Sequence, residues 1–376
     1  NFPLLAIPLF ILAGAIMNAS GISRRLIAFA GALFGWIRGG LAHVSIGASL
    51  FFAEISGSAV ADVAALGSIL IPGMKSKGYP APLAAAVMSS AATLAVIIPP
   101  SIPMILYAVM AQTSVVKLFV AGIIPGLIGA LALAAAAYWQ AVRYNFPIEE
   151  RFRISHVWAT FKDAFWAFLL PIIILGGIYA GVVTATEAAA VSTIYAVFVE
   201  AVVFRTLSIG KFMAIAQRCA VLTAVIFMLL ATGSAIAYFI TLSGIPEWIL
   251  ALMKAIDAGP YLFLLVVNIV LLLAGMFIDP GTAIVVLMPA LFPVAKSLGI
   301  DPVHLGLVVC VTACTGMITP PFGLDLFVAS STLNKPVVEV TRGVGQFIVA
   351  NIVVLAIVTY VPSVATFLPN LLFGKG

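Results

Sequence analysis

The sequence predicts an all-α polytopic membrane protein made of two inverted repeats, each holding a re-entrant helical hairpin and a Pro-Pro-broken helix. Three observations lead there. First, 64% of the 376 residues are hydrophobic and only 8% are charged, against about 25% in a soluble domain. So few charges cannot cover a water-facing surface, and soluble enzymes and nucleic-acid binders are excluded. The net charge of +5 comes without any long basic run, so it is not a nucleic-acid signature. Second, the apolar stretches are long, as spanning helices require and a β-barrel does not. Third, several of these stretches are broken in the middle by small polar residues or proline pairs, and the breaks recur in order.

Unbroken stretches are Pro3–Met17, Val116–Val142, Ala164–Val183, Ala188–Phe204, Phe212–Leu242 and Val337–Pro362. Four others are interrupted. Leu41–Ile71 breaks at Ser56-Gly57-Ser58, and Tyr261–Phe292 at Asp279-Pro280-Gly281-Thr282. Ala81–Met110 breaks at Pro99-Pro100-Ser101, and Val303–Ser331 at Thr319-Pro320-Pro321. Ile22–Ile37 and Ile245–Ile256 are shorter and amphipathic, suited to the membrane interface. Cys219, Cys310 and Cys314 sit in apolar stretches without a CxxC pattern, and read as core thiols.

A shift of 221 residues lays Pro99-Pro100 on Pro320-Pro321, Pro72 on Pro293, Lys75-Ser76 on Lys296-Ser297 and Gly78 on Gly299, and puts Ser58 on Asp279. A shift of 223 lays Ser20-Gly21-Ile22 on Ser243-Gly244-Ile245. The first repeat is therefore 1–143, with an arm at 21–38, a hairpin at 41–74 and a broken helix at 81–111. A linker at 144–163 follows. The second repeat is 164–376, with an arm at 244–257, a hairpin at 260–294 and a broken helix at 302–333. Two helices precede the second copy's first shared element and have no counterpart in the first. The expectation is that the first copy once began roughly 40–50 residues earlier, about two spans of some 20 residues.

Charge sets the orientation. With both hairpins counted as re-entrant, the linker side carries Arg24, Arg25, Arg38, Lys75, Lys77, Arg143, Arg151, Arg153, Lys162, Arg205, Lys211, Lys335 and Arg342. The other side carries Lys117, Lys254, Lys296 and Lys375. The basic side is cytoplasmic, so the two hairpins enter from opposite faces.

Backbone bared inside a bilayer is tolerated where it is buried in protein or lines a polar cavity. Inverted repeats with discontinuous helices meeting at the midplane are the pattern of secondary transporters. Half-helix N-termini there offer N–H groups to an anion, and freed carbonyls offer oxygen to a small cation. The groups available are Ser56, Gly57, Ser58, Ser89, Ser90, Thr93, Pro99, Pro100 and Ser101 in the first half. In the second they are Asp279, Pro280, Gly281, Thr282, Thr312, Thr315, Gly316, Thr319, Pro320, Pro321 and Gly323. Two readings stay open for several. Ser89, Ser90, Thr312 and Thr315 serve either as ligands or as small packing residues. Asp279 is a tip ligand, the cap of the following half-helix, or both together, and Asp325 is a site residue or otherwise a cap or partner. Glu54 and Asp62 read as partners of basic residues, Glu187 as a helix cap, and His43 and His304 as packing residues. An intramembrane enzyme needs a nucleophile or metal set, and neither HExxH nor a paired-Asp protease motif occurs. A channel is not excluded by the breaks.

The stretches Phe51–Ala59 (FFAEISGSA), Ile97–Pro103 (IIPPSIP), Ile318–Phe327 (ITPPFGLDLF) and Ile7–Gly14 (IPLFILAG) resemble the large membrane subunit of TRAP (tripartite ATP-independent periplasmic) transporters. The resemblance runs over essentially the whole chain. It implies an elevator mechanism, sodium coupling, a bacterial inner-membrane location, a small four-helix membrane subunit, and a periplasmic binding protein that delivers a small organic anion such as a dicarboxylate or sialic acid. It places sodium at Ser56, Gly57, Ser58, Thr93, Ile98 and Pro99, and at Asp279, Gly281, Thr315, Gly316 and Thr319. It places substrate at Ser58, Ser101, Asp279, Pro280, Thr282, Thr319 and Asp325. Two positions depart from the family pattern, in which Gly is expected near Ala95 and Asn at Asp325. The alternative is a related sodium–dicarboxylate symporter that works alone.

Overall fold

The computed structural model describes residues 2–19, 21–146, 148 and 151–374. Ser20 and Lys375, used above for a motif and for the charge count, lie outside the described residues. Those described form an all-helical polytopic membrane protein. Six helices are long and apolar enough to span a bilayer, or up to nine if each bent pair is one span.

The first half begins with α1 (Ala6–Asn18) and the amphipathic α2 (Ile22–Phe34). A hairpin follows, α3 (Gly40–Ser56) and α4 (Ala59–Ser76), then α5 (Ala81–Ala92), α6 (Leu94–Ile97), α7 (Ile102–Met110) and the long α8 (Val115–Arg143). The second half opens with α9 (Ile154–Tyr179) and α10 (Ala185–Phe198), which runs into a π-helical turn at Val199–Val203, and continues with α11 (Ile209–Leu242) and α12 (Ile245–Ala255). Its hairpin is α13 (Pro260–Gly275) and α14 (Pro280–Ser297). Then come α15 (Pro302–Gly316), α16 (Leu324–Leu333), α17 (Val337–Val340), α18 (Gly345–Tyr360) and α19 (Ser363–Phe373). Gly21 and Gly244, which precede the two arms, both turn the chain with positive φ, +85° and +63°, a region open to glycine.

Three expectations are corrected. The stretch Val337–Pro362 is not one straight span. It bends by 63° between Val337–Gly343 and Gly345–Tyr360. The bend sits where Gly343 lies against the α5 backbone, since a Cβ there would come within 2.4 Å of the Pro82 carbonyl oxygen. The linker is helical from Ile154 onward, because Phe161 and Phe168 pack onto Phe29 of α2, with ring centroids 5.8 and 5.0 Å apart. Ser155, His156, Lys162 and Asp163, interleaved with Ile154, Val157, Trp158 and Phe161, hid that apolar stripe. The terminal α19, which packs on α8, was not anticipated.

Contacts fix which ends of the helices lie together. Arg38, just before α3, pairs with Ile148 in an antiparallel bridge and donates to the Phe146 carbonyl at 3.4 Å. Tyr79, just after α4, stacks on Phe146 at 4.0 Å. Both ends of the first hairpin thus meet the linker at the end of α8. At the second hairpin, Tyr261 at the start of α13 lies 5.9 Å from Tyr360 at the end of α18. The Tyr107 hydroxyl near the end of α7 donates to the Pro302 carbonyl at 2.7 Å.

The pairings between halves cross over. Hairpin helix α4 packs on α16, and α14 packs on α7. Within each half, α3 packs on α5 and α13 on α15, while α8 lies against α18. The core is therefore shared between the halves, and it brings both hairpin tips to the centre.

Candidate functional site

The first tip is a two-residue turn. α3 stops at Ser56 because Gly57 takes φ +59°, and a side chain there would clash. A Cβ on Gly57 would lie 2.7 Å from the Pro100 carbonyl oxygen. The Gly57 carbonyl accepts the Ile102 N–H at 3.5 Å, so tip and break touch directly. Ser58 is extended and precedes α4. Its N–H donates to Ser56 Oγ at 3.3 Å, and the Ser56 hydroxyl donates to the Asp62 carboxylate. Asp62 is thus held by a serine of the tip and not by a basic side chain, which corrects its expected pairing. Glu54 lies beside Tyr179 of α9.

The second tip is built differently. Asp279 caps α14: its Oδ2 accepts the Thr282 N–H at 3.1 Å, and the Thr282 hydroxyl donates to the same carboxylate. The capping role is therefore present in the structure, and it is compatible with a ligand role at the tip. Behind the tip, Gly275 and Gly316 approach so closely that a Cβ on Gly316 would sit 2.6 Å from the Gly275 Cα. Gly323, at φ +52°, donates its N–H to the Met276 carbonyl at 3.1 Å. This is again a tip-to-break clamp.

The breaks differ in length. The first bends the helix by 41° over 98–101, with Ile98 and Ser101 extended. The second leaves 317–323 between α15 and α16. Both Pro-Pro bonds are cis. The Thr93 hydroxyl donates to the Ser90 carbonyl, Ser101 to Val96 and Thr315 to Val311, each at 2.7 Å, and Thr319 to Thr315 at 2.7 Å. A hydroxyl that spends its proton on the main chain keeps its oxygen lone pairs for a cation.

Two cavities meet the tips. One, of about 150 Å³, is lined by Gly57 and Ser58, by Ile102 and Pro103 of α7, by Asp279 to Thr282, and by Ile226 and Leu229 of α11. The other, of about 240 Å³, is lined by Ser56 and Ser58 together with Gly14, Asn18 and Phe52, and again by Ile226. The N-termini of α4, α7 and α14 all open onto the first cavity. Converging N-termini favour an anion, while the Asp279 carboxylate offsets that field at one of the three.

The structure thus gathers Gly57, Ser58, Asp279, Pro280, Gly281 and Thr282 into one wall. Thr93, Ile98, Pro99, Ser101, Thr315, Gly316 and Thr319 lie in the breaks behind it, and none lines either cavity. Asp325 lines neither cavity and is fully buried, with the Ser89 hydroxyl donating to its main-chain carbonyl at 3.0 Å. Ile226, Leu229 and Gly14 were missed, since nothing separates them by type from other residues of unbroken helices; Asn18, the polar last residue of α1, was missed as well. His43 and His304 are buried packing residues hydrogen-bonded to the Gly39 and Val358 carbonyls. The three cysteines are buried free thiols.

Two hairpin tips closing on a small cavity inside a helical membrane protein fit a solute transporter with discontinuous helices. The chain matches the description "Tripartite ATP-independent periplasmic transporter, DctM component" over residues 1–364, and it belongs to that family. It is a transporter component and not an enzyme. It is 43% identical to the C4-dicarboxylate TRAP transporter large permease protein DctM of Pseudomonas aeruginosa, over 98% of this chain and 87% of that one. It is 37% identical to the sialic acid TRAP transporter large permease protein SiaM of Vibrio cholerae, over 100% of this chain and 88% of the other. It is 40% identical to the isethionate TRAP transporter permease protein DctMQ of Oleidesulfovibrio alaskensis, over 98% of this chain but 58% of that longer one.

Proposed function

We propose that the chain is the membrane-embedded transport subunit of a sodium-coupled, binding-protein-dependent importer of small organic acids in the bacterial inner membrane. The observation that carries this is the single cavity of about 150 Å³ walled by both tips, Gly57-Ser58 from one hairpin and Asp279 to Thr282 from the other. Its three helix N-termini suit a carboxylate. The donor set at the breaks is hydroxyl, carbonyl and carboxylate oxygen, which suits a small hard cation. Ser56, Gly57, Ser58, Thr93, Ile98 and Pro99 would hold one sodium ion, and Asp279, Gly281, Thr315, Gly316 and Thr319 the other. A sodium ion bound there supplies positive charge beside the anion cavity.

The chain's own residues do the rest. Ile102 N–H and Gly323 N–H clamp each tip to the neighbouring break. Ser58 lines the cavity, where its hydroxyl would orient a carboxylate, Thr282 lines the same wall with its hydroxyl held by Asp279, and Ile226 and Leu229 exclude water from its side. Ser101 and Thr319 support that wall from behind. An inverted repeat is supported by the crossed pairing of α4 with α16 and α14 with α7, and by hairpins whose ends meet opposite ends of the molecule. In an elevator, these hairpins would slide as one body against α1, α9, α10 and α11. Among the six straight spans of the described residues α11 is the least covered, with 17% of its most apolar stretch buried, and its open face suits a small membrane subunit. A periplasmic binding protein would deliver the substrate.

The test is uptake into proteoliposomes holding the chain, its small subunit and its binding protein, with a C4-dicarboxylate and sialic acid offered separately. Uptake of one of them is expected with an inward sodium gradient and is lost in Ser58→Ala combined with Asp279→Ala. Equal uptake with potassium alone overturns the sodium coupling. Unchanged uptake in the double variant overturns the site.

A further inference from the structure

The two cavities at the tips share a wall made of Ser58, Ile102 and Ile226. Three helices place the second cavity on the linker side of the first. On α11, Leu229 lines only the first cavity and Leu222 only the second, with Ile226 between them. Leu222 and Leu229 are about 10 Å apart at the helical rise. α11 starts just after Phe204, whose ring lies 3.6 Å from the Arg25 guanidinium of α2. Arg25 also reaches the Asp163 carbonyl at the end of the linker. Leu222 is therefore nearer the linker than Ile226. On α1 the second cavity takes Asn18, the residue at the end that leads into α2. On α3 it takes Phe52, one turn before the first tip, and α3 starts beside the linker at Arg38.

On the opposite side of the first cavity the walls touch. Gly233 lies one turn beyond Leu229 on α11, and a Cβ there has no room beside the Val285 side chain of α14. Val285 itself lines the first cavity. The chemistry of the second cavity also differs from that of the first. Its polar side chains are Asn18, Ser56 and Ser58, and its lining holds no carboxylate, whereas Asp279 stands in the wall of the first. The Ser56 hydroxyl is spent on Asp62, and its oxygen takes the Ser58 N–H. Asn18 Oδ1 accepts the Ser23 hydroxyl at 3.1 Å, which occupies the oxygen and leaves the amide N–H groups to donate. An anion moving from the tips toward the linker thus meets a donor and no opposing acid.

We infer that Ile226 is the neck between the two cavities, and that the second cavity is a transit subsite for the organic anion with the Asn18 amide as its polar contact. The inference rests on the transport function proposed above. The anion passes from the Ser58 hydroxyl, which both cavities share, beyond the Ile226 side chain to Asn18. From there it leaves on the linker side, the cytoplasmic one by its charge.

The experiment uses the chain with its small subunit and binding protein in vesicles, with a C4-dicarboxylate and sialic acid as substrates. Ala15 and Ala61 line only the second cavity. Ala61→Cys is exposed to a membrane-impermeant thiol reagent from either face, without sodium or substrate, and is expected to react several-fold faster from the linker face. Leu229→Cys, in the first cavity, reacts more slowly from that face, and adding Ile226→Ala removes the difference. Asn18→Asp keeps the Ser23 hydrogen bond but replaces the donor with a negative charge, and Ala15→Phe fills the second cavity. Each is expected to lower the maximal rate of sodium-driven uptake at least roughly tenfold, about 1.4 kcal/mol on the barrier. The thermal-midpoint shift that the substrate gives the purified complex is kept in both, because the first cavity is intact. Where Ala15→Phe fails to fold, Asn18→Asp and the labelling carry the test. Normal uptake in Asn18→Asp overturns the inference, and so does equal labelling of Ala61→Cys from the two faces. Loss of the midpoint shift together with uptake in Asn18→Asp makes the second cavity part of the binding site and also overturns it. A labelling difference that persists with Ile226→Ala removes the neck. If the intact complex takes up neither substrate, the proposed function fails, and the labelling still decides on which side the second cavity opens.

Discussion

The two hairpin tips reach the same cavity with different chemistry. At the first, the acid sits inside the helix: Asp62 accepts the Ser56 hydroxyl while Ser56 accepts the Ser58 N–H, so three residues lock a glycine turn. At the second, the acid is the cap itself, and Asp279 holds Thr282 through both its N–H and its hydroxyl. The breaks diverge likewise. The first needs few residues because Gly57 lets the Pro100 carbonyl approach, whereas the second needs a longer turn ended by Gly323 and a Gly275–Gly316 contact. What the two regions share is a clamp from break N–H to tip carbonyl. Backbone contact therefore holds both tips against their neighbouring breaks, while the side chains around each tip differ.

This comparison can be broken at several strengths. The largest effect is expected where backbones touch. Gly316→Leu at the second break inserts a side chain where even a Cβ would be 2.6 Å from Gly275, and overpacking alone costs about 1–3 kcal/mol. A marked fall in folded yield and thermal midpoint is expected. A normal midpoint would show that the second tip does not depend on that contact.

Next come the two acids. Ser56→Ala leaves a fully buried Asp62 without its hydrogen bond, a loss of about 1–3 kcal/mol. Thr282→Ala removes one of two bonds to Asp279 and leaves the main-chain cap, at about 0.5–1.5 kcal/mol. Denaturation of the two variants in one detergent should rank them in that order. A larger loss for Thr282→Ala would reverse the assignment of which tip relies on its side chains.

The smallest effect marks the background. Lys335 and Glu339 form an exposed i,i+4 pair at 3.0 Å, and Glu339→Gln should cost no more than about 0.5 kcal/mol. A larger midpoint change would mean that the end of α16, and with it the second break, is held from outside the core.

Much of the second tip was legible because Asp-Pro-Gly-Thr carries its own local code: an acid, a first-turn proline and a partner three residues on. The first tip was only half legible. Ser56 and Gly57 announce a turn, but the link from Ser56 to Asp62 needs α4 to be in place. The bend at Gly343 was hidden because its cause, the α5 backbone at Pro82, is some 260 residues away in sequence. The cavity wall from α11 was hidden for a plainer reason. Ile226 and Leu229 are the same kind of residue as their neighbours, and only the helix's position selects them.

By itself the sequence determined that this chain lives in lipid, where its helices break, and which small polar residues stand at the breaks. Those are local matters of hydropathy, proline and glycine, set by what a backbone tolerates away from water. Only the tertiary structure decided that both tips face one cavity, that Asp279 acts as a cap, and that Asp325 is buried away from the cavity. These depend on the crossed packing of α4 with α16 and α14 with α7, which joins residues more than a hundred positions apart.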